Sequence, residues 1–236
     1  YNNFGVNNYT VAQSSFDTWL DGYVKGTPGR KGSIYTEGAL IAFMTDVFIL
    51  KNTNNKKSLD DVMKILYQDF AKKGKGVSNL DYKNTIEQVA GVSYAKIYNN
   101  FIHGTADYTD QLIESLSFIG CGLKIEPSKK HNEAYLGFTV RYENSKCMVD
   151  NIYPNSIAED NGLAINDELM AINSIKITND LSKWSDYFKS DEIALSVKRE
   201  LGVIEKIKLT GTEETYFNLF TIKKIEESDN FKTWSK

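Results

Sequence analysis

Ser33-Ile-Tyr-Thr-Glu-Gly-Ala-Leu-Ile-Ala-Phe43 opens the most hydrophobic helical stretch of the sequence. From Ile34 to about Lys51 there is no proline and only one glycine, Gly38. Leu40, Phe43, Met44, Val47 and Leu50 recur at three- and four-residue spacing, which predicts a helix with a strongly apolar face. Ser33 stands where an N-cap is needed, since its hydroxyl can accept from a first-turn N–H. Tyr35 belongs to a different face, followed at helical spacing by Gly38, Ala39, Ala42 and Asp46. A glycine inside a helix costs on the order of 1 kcal/mol relative to alanine, so Gly38 is expected to serve packing or function. Periodicity leaves two readings of Tyr35: a core or interface aromatic with its hydroxyl bonded, or a phenol standing clear of bulky neighbours.

Upstream, Ser14 or Ser15 is expected to cap a short helix carrying Phe16, Trp19 and Leu20, and Gly22 to Gly32 reads as a loop with Pro28 and Arg30. Downstream, Ser58-Leu-Asp-Asp61 and Ser78-Asn-Leu-Asp81 are capping-box patterns, and their helices are expected to stop at Gly74 and Gly91. Further helices are expected from Ser93 through Ile102 and from Thr109 to Gly120. At Gly120 the hydrophobic period changes from 3.6 to 2. Strands are expected around Leu123–Ile125, Tyr135–Tyr142, Cys147–Ile152, Glu168–Ile172, Glu192–Lys198 and Val203–Leu209, with short helices at Ser156–Asp160 and Leu181–Phe188. The expected fold class is α+β: an all-helical part at 1–117, a small β-sandwich or partly open barrel at 118–212, and an extension at 213–236 packing back on the helical half.

With 41% hydrophobic and 25% charged residues among 236, the chain has the composition of an ordinary globular protein. A net charge of −3 offers no basic footprint for nucleic acid. The apolar run Ala39–Leu50 is too short for a membrane span and is interrupted by Thr45 and Asp46. The first residue, Tyr1, follows no signal-peptide pattern, and the chain is expected to be a piece of a longer protein. Cys121 and Cys147 read as free thiols.

The order of motifs carries a resemblance. Ser14-Ser-Phe-Asp-Thr-Trp-Leu20, Pro28-Gly-Arg30, Ser33-Ile-Tyr-Thr-Glu-Gly-Ala-Leu40, Ser58-Leu-Asp-Asp-Val-Met63 and His103-Gly-Thr105 together resemble the C-terminal end of the catalytic domain in the glycyl aminopeptidase family of zinc peptidases, in which a PDZ module follows. The resemblance spans nearly the whole chain and implies that the helical part ends a thermolysin-like catalytic domain. Like the aminopeptidase N group, the family places Tyr-x-x-Gly at the start of a helix beside the zinc. By that match Tyr35 donates to the oxyanion that forms on the peptide carbonyl, and Arg30 and Glu37 belong to the substrate cleft or are solvated. Glu37 departs from the pattern, since many relatives carry Lys there.

Leu136-Gly-Phe138 likewise resembles the carboxylate-binding loop of PDZ domains, and Pro154-Asn-Ser-Ile-Ala-Glu-Asp-Asn-Gly-Leu163 and Asn166-Asp-Glu-Leu-Met-Ala-Ile-Asn173 resemble the later PDZ signature. The resemblance implies that N–H groups around Gly137 cradle a peptide or protein C-terminus while the peptide adds to the neighbouring strand, with Phe138 and the helix from Leu181 lining a side-chain pocket. A spacer with a filled groove is the other reading. Asn166 stands for a common Gly, and asparagine tolerates positive φ best after glycine.

A zinc aminopeptidase needs His-Glu-x-x-His and a distal Glu. Here the only histidines are His103, expected at a helix C-terminus, and His131, expected in a solvated loop, so no metal site is expected in this chain. The zinc would be bound by residues upstream of Tyr1 in the parent polypeptide. No Gly-x-Ser-x-Gly elbow is present, and Gly74-Lys-Gly76 lacks the frame of a phosphate loop. The expected function is the C-terminal part of a zinc-dependent, Gly- or Ala-preferring aminopeptidase, supplying Tyr35 and a PDZ peptide-docking module. The alternative is a non-catalytic peptide-binding scaffold.

Overall fold

The computed structural model describes residues 4–21, 32–211 and 213–235. It divides into two compact units, one of Tyr1–Leu123 with Ile222–Lys236 and one of Lys124–Thr221.

The first unit is helical. Helices α1 (Val11–Phe16) and α2 (Thr18–Asp21) precede the long α3 (Ile34–Asn52), and α4 (Leu59–Asp69), α5 (Asn79–Ala90), α6 (Ala95–Ile97) and α7 (Thr109–Phe118) follow. The cap of α1 is Thr10, in a capping box with Gln13, rather than Ser14 or Ser15. Ser14 lies inside the helix, buried, and its Oγ accepts from the Gly32 N–H at 3.3 Å. Ser33, Ser58 and Ser78 each cap as their spacing predicts.

Helix α3 packs against α1, α4, α5 and α7. Ile41, Met44 and Ile49 join a core with Val62, Leu66, Ile86, Tyr94 and Leu112. Val47 turns to a second cluster with Leu116, Ile119 and Cys121. Apolar residues on more than one side of α3 are therefore matched by packing on more than one side. The one hydroxyl this buries, on Thr45, is satisfied by Ile41 O and by the Tyr94 hydroxyl. The helix expected from Ser93 is split: after α6 the chain widens into a π-helical turn at Tyr98–Ile102, closed by the His103 N–H donating to Tyr98 O.

The second unit carries an antiparallel sheet of six strands: β2 (Phe138–Glu143), β3 (Lys146–Ile152), β4 (Glu168–Ile172), β5 (Ile175–Lys176), β6 (Ile193–Lys198) and β7 (Ile204–Leu209). The order is β2-β3-β4-β6-β7 with β5 paired to β4, so β2 is an edge strand. Helices α8 (His131–Ala134), α9 (Ile157–Asp160) and α10 (Leu181–Tyr187) accompany the sheet. The core holds Leu136, Phe138, Val149, Leu169, Ile172, Leu181, Leu195, Val197 and Leu209. Asn166 adopts φ +70°, the left-handed conformation in which it stands for glycine.

Helix α8 corrects two expectations. His131 is its first residue and is buried, not a solvated loop residue, and strand β2 begins at Phe138 rather than Tyr135. The helix is local in origin: Ser128 Oγ donates to Glu133 at 2.7 Å, and Lys130 pairs with the same carboxylate at 2.8 Å. The chain enters this unit within β1 (Cys121–Pro127) and leaves it within β8 (Asn218–Lys224), and these two strands pair. In the helical unit the tail ends in α11 (Asp229–Trp234), with Phe231 against the Val47 cluster and Trp234 edge-on to Phe43.

Candidate functional site

The first candidate lies at the start of α3. Tyr35 occupies its first turn and is 69% exposed, while Ser33 Oγ accepts from the Thr36 N–H. One turn on, a Cβ built on Gly38 would meet nothing within 4 Å among the described residues. Among the described residues, none packs into the space that Gly38 leaves. Asp46, three turns along, is occupied structurally: its Oδ1 accepts from the Leu59 N–H at 2.8 Å and so fixes the start of α4.

Glu37 departs from the solvated reading of it. It is only 4% exposed, and neither carboxylate oxygen completes a hydrogen bond. Its carboxylate lies against Gly32, where any Cβ would collide with it. Burial raises the pKa of this acid; the nearby Ser33 N–H pulls weakly the other way. Glu37 is thus a buried acid two residues from Tyr35, not a solvated charge. Arg30 lies outside the described residues.

No group of three or more His, Cys, Asp and Glu side chains among the described residues is placed to hold a metal. His103 lies tilted against Tyr98 with ring centres 4.6 Å apart and lines a cavity of about 380 Å³ with Thr10, Ala12, Gln13, Phe16 and Asp17. The described residues therefore offer no ligand set that fits a zinc centre. No helix among the described residues is long and apolar enough to cross a membrane.

The second candidate is the loop Leu136-Gly137-Phe138 ahead of β2. Gly137 sits at φ +78°, and a Cβ there would collide with Ser156 and approach Tyr216 to 3.1 Å. The loop is held by carbonyls: Leu136 O accepts from the Ala158 N–H at 3.0 Å, and Gly137 O from the Tyr153 N–H at 2.8 Å and from Ser156 Oγ at 3.3 Å. Phe138 and the first residue of α10, expected to line a side-chain pocket, are core residues. Leu136, Phe138 and Leu181 are all 1% exposed or less and belong to the core.

Three residues unmarked in the sequence hold this region. Asn132, fully buried in α8, donates from Nδ2 to Phe138 O at 3.0 Å. Ser185 of α10 lies within hydrogen-bonding reach of Asn132 Oδ1 at 3.4 Å and of Ser182 O at 3.1 Å. Tyr142 of β2 accepts the Leu181 N–H on its hydroxyl at 3.2 Å. Burial and the neighbouring Cys147 thiol push the Tyr142 phenol up to about 12.

Residues 124–201 match the PDZ domain family. A search of curated proteins finds no match. Among solved structures, an aminopeptidase N family protein from Idiomarina loihiensis is similar over 98% of this chain, with a TM-score of 0.83 and 21% identity; the chain spans 41% of that protein's length. A PDZ domain protein from Parabacteroides distasonis is similar over 39% of this chain and 20% of its own, with a TM-score of 0.30 and 18% identity. The chain thus shares the α+β fold of part of an aminopeptidase N family protein and contains a PDZ domain in its second unit.

Proposed function

We propose that this chain is part of a zinc-dependent aminopeptidase acting on peptides with N-terminal Gly or Ala, in which Tyr35 stabilises the oxyanion and the PDZ unit docks peptides. The observation that carries the proposal is the exposed phenol in the first turn of α3, beside the open space at Gly38. The fold shared with an aminopeptidase N family protein over 98% of the chain supports it. The zinc would be held by residues of the parent polypeptide outside this chain.

The role follows from charge. When a peptide carbonyl is attacked, its oxygen gains negative charge that the substrate lacks. A phenolic O–H aimed at that oxygen binds the transition state more tightly than the ground state. The first-turn N–H groups of α3 add positive potential at the same end of the helix. Tyr35→Phe in the full polypeptide should lower kcat by roughly 10²–10³ with little change in KM. A rise in KM at unchanged kcat would make Tyr35 a binding residue and defeat the proposal.

A further inference from the structure

We infer that the groove between β2 and α10 of the PDZ unit is latched shut from within by Asn132, so that a peptide enters only when α8 withdraws. The inference rests on reading this unit as a peptide-docking module and adds the state in which the groove is found.

Strand addition needs the outward-facing groups of an edge strand. In an antiparallel pair successive carbonyls point to opposite sides. Gly137 O is turned inward, to the Tyr153 N–H, so Phe138 O is turned to the open edge of β2. That is where Asn132 Nδ2 binds, at 3.0 Å. The same carboxamide faces Ser185 of α10 with its oxygen at 3.4 Å. One buried amide plane thus spans from strand to helix, offering a donor to β2 as the main chain of a docked peptide would. Along the same pair of elements, the Tyr142 hydroxyl ties β2 to the first N–H of α10. Leu136, Phe138 and Leu181, at the base of this groove, are sealed in the core.

The latch is short. α8 is a single turn, held from behind by the Tyr216 N–H on Ala134 O at 2.8 Å and by Ser128 and Lys130 on Glu133. Its release therefore needs only local opening, with the sheet intact.

The test is to pan a phage-displayed library of random heptapeptides with free C-termini against the 236-residue chain and two variants, Asn132→Asp and Ser185→Ala. Asn132→Asp sets a carboxylate against the Phe138 carbonyl and removes the donor. Ser185→Ala loosens the helix side without introducing charge, and serves if the first variant folds poorly. The wild type should yield no consensus. The folded variants should yield one, bind the selected peptides at least about tenfold more tightly than the wild type, as expected when a closed state populated at about nine parts in ten is relieved, and lose them when the C-terminus is amidated. If the wild type binds the same peptides equally well, the latch is refuted and the docking reading stands. If neither variant binds while both unfold cooperatively at wild-type temperature, the docking reading itself fails and the latch with it.

Discussion

Two neighbouring residues on the first turns of α3 receive opposite treatment: Tyr35 is mostly exposed, and Glu37 is drawn in with no hydrogen bond to either oxygen among the described residues. A buried carboxylate is costly in its charged form. Its folded pKa therefore lies above the unfolded value of 4.5. The stability that goes with the neutral acid is fully present below about that value and is lost as pH rises through the folded pKa. Glu37→Gln keeps the shape and cannot ionise. The variant should be more stable than wild type at pH 7, and the gap should shrink towards pH 4; urea unfolding at both values checks this, and an equal gap would contradict it. Asp46 is shifted in the same direction but is present in both proteins and cancels. Residue-scale features made by near neighbours were legible in the sequence, as with the caps at Ser33, Ser58 and Ser78. The burial of Glu37 and the roles of Asn132, Tyr142 and Ser185 were not, because each depends on a partner from another element.

At the scale of the element, α3 positions the candidate site because it is fixed by packing and by one interior polar contact. Thr45 and Tyr94 are both fully buried, and burial holds the Tyr94 phenol above the ordinary tyrosine range. Thr45→Val leaves the Tyr94 hydroxyl without this partner and should cost about 1–3 kcal/mol. Tyr94→Phe should cost less, since Thr45 keeps its bond to Ile41 O. The double variant should show a coupling of roughly 0.5–3 kcal/mol in a chemical-denaturation cycle. Additivity would mean that the contact does not hold α3. The strand Glu168–Ile172 was readable to the residue, although a register shift between Leu169 and Ala171 interrupts its alternation. The one-turn α8 was not: four residues are too few for a helical period to declare itself, and Tyr135-Leu-Gly-Phe138 reads as strand by composition.

Across the whole molecule, the passage from helices to strands was announced by the change of hydrophobic period at Gly120, and β1 begins at the next residue. The helix α11 near the C-terminus was not, since Asp229–Trp234 is short and mostly polar and its Phe231 and Trp234 find their partners in α3 and α7. The division of labour proposed for the parent enzyme makes a further claim about this chain alone. Elemental analysis after dialysis should find no stoichiometric zinc; one tightly held zinc per chain would place the metal site here and contradict the proposal. The central claim is that Tyr35 recognises charge present only in the transition state. It is tested most directly by comparing a phosphinic peptide, which carries a tetrahedral anionic centre, with a substrate peptide in wild-type and Tyr35→Phe full-length enzyme. The account predicts that the phosphinic inhibitor loses affinity by about 10²–10³, in step with kcat/KM, while KM stays within about twofold. Unchanged inhibitor affinity, or equal loss for inhibitor and substrate, would contradict it.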